Sequence, residues 1–255
     1  MYDTGFLAGP TPIAFAHRGF APDGAENSMA AFERAVALGY GYLETDVRVT
    51  ADGVALAFHD ATLDRITDRA GRIDALPWKT VGAARIGGRE PVPRLTDLLA
   101  AWPWVRINLD VKADRSVGPT VDAIQHTGAV DRVCVGAFST RRIAAMRQAL
   151  GPRLCTSLGP RDALRLRLRA GRPHRSPPVG QCAQVPATIG RRRFTDARYV
   201  SAAHELGLQV HVWTVNEERE MTRLLDLGVD GIMTDRADVL RDLLVARGQW
   251  SSRPA

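Results

Sequence analysis

Along the chain, short apolar runs alternate with stretches in which apolar residues recur every three or four positions. The runs at 13–16, 42–49, 105–112, 133–136, 153–156, 182–185, 208–213 and 230–234 read as strands, and a helical pattern follows each. After the first, Met29, Phe32 and Val36 share one helix face, Asn27 or Ser28 supplies the N-cap, and Gly39 ends the helix. Asn216 and Asp235 read the same way, as caps of the last two helices. Eight such alternations predict right-handed crossovers, a parallel sheet and closure into an α/β (β/α)8 barrel, the TIM barrel. One barrel domain over 1–255 is expected. A hairpin and insertion at 47–95 enlarge the loop after the second strand, where Gly87, Gly88, Pro91 and Pro93 interrupt any regular pattern.

The second strand carries the most distinctive polar residues. From Tyr42 to Val49 apolar and polar residues alternate, and Asp52-Gly53 follows, a dipeptide suited to a two-residue hairpin turn. With that turn, Asp46 lies opposite His59, and Glu44 is two residues before Asp46, so all three share one face. Two carboxylates on a strand are ordinarily a solvated face. Joined by a histidine, they form a candidate hard-cation site with an acid/base neighbour.

Composition narrows the setting. The chain is 45% apolar and 24% charged, ordinary for a globular protein. No apolar run approaches the ~20 residues that span a bilayer. The first residues lack a basic stretch followed by an apolar one, so no secretory signal is read. Cys134, Cys155 and Cys182 are odd in number and widely spaced, and they read as buried reduced thiols. A cytoplasmic protein is expected.

Charge is uneven. Residues 161–193 hold nine arginines and one acid, a net +8 where the whole chain carries +6. The plain reading is a solvated helix face and an arginine-rich loop. The functional one is a surface that attracts phosphorylated substrates or anionic headgroups. Few aromatics accompany these arginines, so no nucleic-acid partner is expected, and membrane contact is not favoured. Lysine is limited to Lys79 and Lys112, which singles out Lys112 in the third strand.

In a barrel of this kind the C-terminal strand ends line the site. They bear His17 and Arg18, Glu44 and Asp46, Asp110 and Lys112, Trp213, and Thr234-Asp235. Arg and Lys beside a carboxylate-bound cation suit a phosphorylated substrate. Two histidines supply the acid and base that displacement at phosphorus requires. His211 reads as a core histidine.

The segments AHRGFAPDGAENSMAAFERAVALG, YLETDVRVTADGVALAFHDATLDRITDRAG, INLDVK and VHVWTVNEEREMTRLLDLGVDGIMTDRADVL occur in this order over nearly the whole chain. In them the chain resembles the glycerophosphodiester phosphodiesterases, a family of TIM-barrel, metal-dependent hydrolases. The resemblance implies hydrolysis of a small-molecule glycerophosphodiester to an alcohol and sn-glycerol 3-phosphate. A glycerol hydroxyl would attack phosphorus, and water would open the resulting cyclic phosphate. His17 and His59 would be the acid/base pair, and Glu44, Asp46 and Asp110 would hold one divalent ion, Ca2+ or Mg2+. Arg18 and Lys112 would clamp the phosphate, and Trp213 would wall the alcohol side. Position 110 usually carries Glu in relatives; Asp110 is one methylene shorter, which leaves direct ligation open. Glu26 matches the family pattern without an assigned role. Two alternatives stand beside this reading. One is a lysophospholipase D-like hydrolase at a membrane surface, with residues 60–94 and 171–180 as builders of an apolar channel. The other is a non-catalytic phosphate-ligand barrel.

Overall fold

The computed structural model describes residues 5–170 and 179–251. Among them, eight parallel strands form the barrel: β1 (Ile13–His17), β2 (Tyr42–Val49), β3 (Arg106–Val111), β4 (Val133–Gly136), β5 (Cys155–Thr156), β6 (Cys182–Pro186), β7 (Gln209–Trp213) and β8 (Gly231–Thr234). β8 returns to β1 with Ile13 opposite Gly231. Between β5 and β6 a Ser157–Cys182 bridge closes the ring, with hydrogen bonds from Leu158 N to Cys182 O (2.8 Å) and from Gln181 N to Thr156 O (3.0 Å). The alternation seen in the sequence thus gives the expected (β/α)8 barrel.

Successive strand side chains point to opposite faces, so each strand serves two cores. Leu43, Val47, Ile107, Leu109, Val133 and Val135 face outward and bury the helices. Phe15, Tyr42, Met233 and the three cysteines fill the barrel interior with Phe6, from the segment ahead of β1. The register stacks the inward polar residues in layers. His17, Glu44 and Asn108 share one level, and Asp46, Asp110 and Gly136 lie one level nearer the C-terminal mouth. Among the described residues, no helix is long and apolar enough to cross a membrane.

The helix over Met29–Ala37 is capped by Ser28, whose Oγ accepts the Ala31 N–H at 3.1 Å. Asn27 is not the cap; it sits at φ +58° and turns its side chain toward β2. The last two helices also lack the expected caps. Glu217 and Arg236 occupy the N-cap positions, which frees Asn216 and Asp235 for the site.

The hairpin after β2 departs from the expected register by one residue. Val47 pairs with Ala57 and Val49 with Ala55. The turn is the cause: Thr50 N donates to Val54 O (3.1 Å) and Gly53 N to Thr50 O (3.1 Å), which leaves a three-residue loop, Ala51-Asp52-Gly53. Gly53 takes φ +88°, as the last residue of such a loop requires. Asp52 is committed elsewhere, accepting from Thr50 Oγ1 at 2.6 Å and from Trp78 N at 2.9 Å. Phe58, not His59, therefore meets Asp46, donating its N–H to the Asp46 carbonyl at 2.9 Å. Its ring is buried with Leu56, Leu63, Ile73 and Ile86 in the core of the insertion. His59 reaches the mouth beyond the end of the paired arm, where Arg48 Nε holds its carbonyl at 2.9 Å.

Candidate active site

One cavity of about 720 Å3 opens at the C-terminal mouth, and His17, Arg18, Glu44, Asp46, His59, Asp110, Lys112 and Trp213 all line it. The eight residues singled out from the sequence are thus brought together, His59 by a different route from the one expected.

The β1–β3 side is charged. Lys112 Nζ lies 2.7 Å from both Asp46 Oδ1 and Asp110 Oδ2, bridging adjacent strands. Arg18 Nε is 3.0 Å from Asp46 Oδ2, and its Nη1 donates to Glu26 Oε1 at 2.8 Å. The first of these is an ion pair too bent to count as a hydrogen bond. Arg18 is delivered by a tight turn in which it holds φ +56° and donates its N–H to the Glu44 carbonyl at 3.0 Å. Gly19 follows because a Cβ there would come within 2.6 Å of the Ala31 backbone.

Burial and charge set the protonation of this wall. Burial pushes the Glu44 carboxyl up to about 7; the His17 imidazole pulls against this, while Asp46 and Asp110 add to it. Burial likewise raises Asp110, against the pull of Lys112. Asp46 is also buried, but Lys112 and Arg18 outweigh that and hold it below the carboxylate range. Asp110 Oδ1 is buried with no hydrogen-bond partner. Glu44, Asp46 and Asp110 are the groups here that could hold a hard cation. The raised Glu44 and the orphaned oxygen of Asp110 are what a carboxylate site short of positive charge looks like.

Each histidine is backed by a carboxylate. His17 Nδ1 lies 2.6 Å from Asp235 Oδ1, and Asn216 Nδ2 donates to Asp235 Oδ2 at 2.8 Å. His59 Nδ1 lies 2.6 Å from Asp60 Oδ1, and Arg65 Nε donates to Asp60 Oδ2 at 2.6 Å. A carboxylate on Nδ1 fixes the ring and leaves Nε2 for the substrate. Burial alone would lower the His17 imidazole, but Glu44, 3.7 Å from its Nε2, and Asp235 outweigh it and raise it. The Arg65 hydrogen bond takes Asp60 down to about 2 despite some burial.

The opposite side is apolar. Phe138 and Trp213 meet edge to face with ring centroids 5.6 Å apart, and Leu158, Leu164, Ile189 and Phe194 continue the wall. Phe138 is 64% exposed, Leu164 51% and Ile189 59%, so the wall extends to an open apolar rim. An apolar channel was expected, if anywhere, from 60–94 and 171–180. The wall instead comes from segments after β4, β5 and β6 and from the end of β7, and residues 171–178 lie outside the described residues.

Sequence reasoning placed Asp235 at a strand end but read it, like Asn216, as a helix cap, left Glu26 without a role, and missed Asp60 and Arg65. Asp60 had a visible signal, directly following His59, and Glu26 had the matching pair with Asn27. Asp235 and Asn216 looked like helix caps. Arg65 gave no signal; only the folded insertion brings it 2.7 Å from Glu26 Oε1.

Comparison with known proteins gives this site its context. Residues 17–239 match the glycerophosphoryl diester phosphodiesterase family. The probable glycerophosphodiester phosphodiesterase 2 of Mycobacterium tuberculosis is 43% identical over 253 residues, covering 96% of this chain and 95% of the relative. A lysophospholipase D of Mus musculus is 27% identical, covering 89% of this chain and 84% of the relative. In fold, an Oleispira antarctica phosphodiesterase, solved in complex with its product sn-glycerol-3-phosphate, superposes with a TM-score of 0.76 at 21% identity, covering 92% of this chain and 97% of the other. The chain belongs to the glycerophosphoryl diester phosphodiesterase family and is an enzyme of that class, a phosphoric diester hydrolase.

Proposed function

We propose that the chain hydrolyses glycerophosphodiesters to an alcohol and sn-glycerol 3-phosphate, with His17 and His59 as the acid/base pair. The observation that carries this is the shared arrangement of the two histidines: each lines the cavity and each has Nδ1 held at 2.6 Å by its own carboxylate. His17, whose affinity for a proton is raised, donates to the leaving alcohol oxygen. His59 takes the proton of the attacking hydroxyl. Arg18 and Lys112 hold the phosphate oxygens, and Trp213 with Phe138 packs against the alcohol. Product binding in the Oleispira relative agrees with the glycerol phosphate half of this reading.

Glu44, Asp46 and Asp110 are the proposed holders of one divalent ion, Ca2+ or Mg2+. When bound, it would supply positive charge to the phosphoryl oxygens. Cytoplasmic residence belongs to the same reading and rests on three cysteines that form no disulfide. The chain acts as one barrel domain, with residues 47–95 as an insertion that contributes His59 and its support.

A second reading is favoured by the open apolar rim. A glycerophosphodiester bearing an acyl chain, a lysophospholipid, could lay that chain along Phe138, Leu164 and Ile189. The experiment is turnover of glycerophosphocholine and lysophosphatidylcholine after exhaustive chelation and again with Ca2+ or Mg2+ restored, with release of choline, the product common to both, measured. Ion-dependent release from glycerophosphocholine is expected. Equal release in chelator would overturn the metal assignment, and turnover of lysophosphatidylcholine alone would favour the second reading.

A further inference from the structure

One level below Asp46 and Asp110, where Asn108 pairs with Cys134, the barrel holds a cluster that phosphodiester hydrolysis does not use. Cys134 on β4, Cys155 on β5 and Cys182 on β6 are distant in sequence but meet inside the barrel, Cys134 pairing directly with Cys155. All three are fully buried and unoxidised. Their sulfurs all lie within 4.8 Å of one another, and Cys134 Sγ is 3.8 Å from Cys182 Sγ. Among the described residues, no other set of three His, Cys, Asp or Glu side chains gathers its ligand atoms so closely. A metal–sulfur bond of ~2.3 Å would place bound thiolates about 3.8 Å apart in a tetrahedral site and about 4.0 Å apart in a trigonal one. The trio needs little movement to close on an ion.

We propose that Cys134, Cys155 and Cys182 form a three-coordinate thiolate site for Cu(I). Sulfur ligands select soft ions over the Ca2+ or Mg2+ that suits the carboxylates above. Ligand number separates the soft ions further. Structural zinc takes four protein ligands, whereas this cluster offers three, surrounded by Phe15, Tyr42 and Met233. Three thiolates suffice for Cu(I). Each sulfur that bonds the ion releases its proton to solvent and no electron is transferred, so affinity rises with pH. Arg147 offsets the new negative charge from the side, its Nε donating to Thr156 Oγ1 at 2.7 Å. The way in is the floor of the substrate cavity. Asn108, Ser157 and Gln184 line that floor, and Gln184 Nε2 reaches both Asn108 Oδ1 (2.7 Å) and Cys134 Sγ (3.9 Å).

The test is anaerobic titration of the reduced full chain with Cu(I) in competition with bicinchoninate. Cys134→Ala, Cys155→Ala, Cys182→Ala and the triple variant are run alongside, with folding followed by circular dichroism. One Cu(I) per wild-type chain is expected, with affinity falling roughly 100-fold or more in each single variant. Capture by the triple variant as strong as by wild type would place the ion at the histidines and overturn the site. So would a folded wild type that captures none. Should the variants not fold, X-ray absorption on the wild-type complex decides: a sulfur-only shell at ~2.3 Å supports the site, and a nitrogen or oxygen shell overturns it.

Discussion

On the β1–β3 side the cavity lining is charged or titratable apart from Asn108, and its groups are tied to neighbours: Lys112 to Asp46 and Asp110, Arg18 to Glu26, His17 to Asp235, His59 to Asp60. On the side built after β4, β5 and β6 and from the end of β7, Phe138, Trp213, Leu164 and Ile189 meet solvent with few polar partners. One barrel thus divides its mouth. The charged side is fixed by short ion pairs in buried surroundings, where misplacing one group disturbs several others. The apolar side is held by packing, and its outer residues can change with a smaller energetic penalty. In the function proposed above, chemistry at phosphorus is assigned to the first side, and choice of alcohol or chain to the second.

The largest effect should come from Asp46, which both Lys112 and Arg18 engage. Asp46→Asn is expected to lower kcat/KM by on the order of 10² to 10³, because it loosens two cations and a proposed ion ligand at once. Steady-state kinetics on glycerophosphocholine check this. A loss under threefold would show that the charged side does not act as a unit.

Asp235→Asn should cost roughly 10- to 100-fold in kcat, with KM little changed and the basic limb of the pH–rate profile moved to lower pH. The sign follows from the cause: Asp235 helps to raise the His17 imidazole, and removing its charge lowers it. A loss of stability with no shift in the profile would make Asp235 merely structural.

Glu44 gives a prediction on stability rather than rate. Its folded value of about 7 stands above the ordinary 4.5. Between those values the unfolded chain releases this proton and the folded chain keeps it. Stability of the ion-free protein therefore falls as pH rises through that window and levels off above it. Glu44→Gln should flatten this slope in thermal melts from pH 4.5 to 8. Added divalent ion should raise the wild-type melting temperature more at pH 8 than at pH 5. A pH-independent gain would argue against Glu44 as a ligand.

The eight barrel strands were legible because period-2 runs alternated with helical stretches, and the C-terminal strand ends named His17, Arg18, Glu44, Asp46, Asp110, Lys112 and Trp213 directly. What was not legible depended on turn geometry and long-range contact. Asp52-Gly53 looked like a two-residue turn, but Thr50 and Trp78 claim the Asp52 carboxylate and a third residue enters the loop. His59 was assigned to the site by a register the structure does not have, although the family resemblance pointed to the same residue. Asp235 looked like a helix cap because the cap and the His17 partner call for the same side chain. The apolar wall was hidden because its residues sit on four separate segments.

The smallest effect should lie on the apolar side. Phe138→Ala is expected to leave glycerophosphocholine turnover within about threefold. If chains run along the rim, it should raise KM for lysophosphatidylcholine about three- to thirtyfold. Equal effects on both substrates would remove the division of labour between the two sides.

The central claim is that His17 and His59 act together on one phosphodiester, and a double-mutant cycle tests it most directly. kcat/KM for glycerophosphocholine is measured for wild type, His17→Ala, His59→Ala and the double variant, with folding checked by circular dichroism. Each single change should cost on the order of 10² to 10⁴, and the double variant should lose little more than the worse single one, as residues that act as a unit do. A folded single variant that keeps near-wild-type turnover would contradict the account.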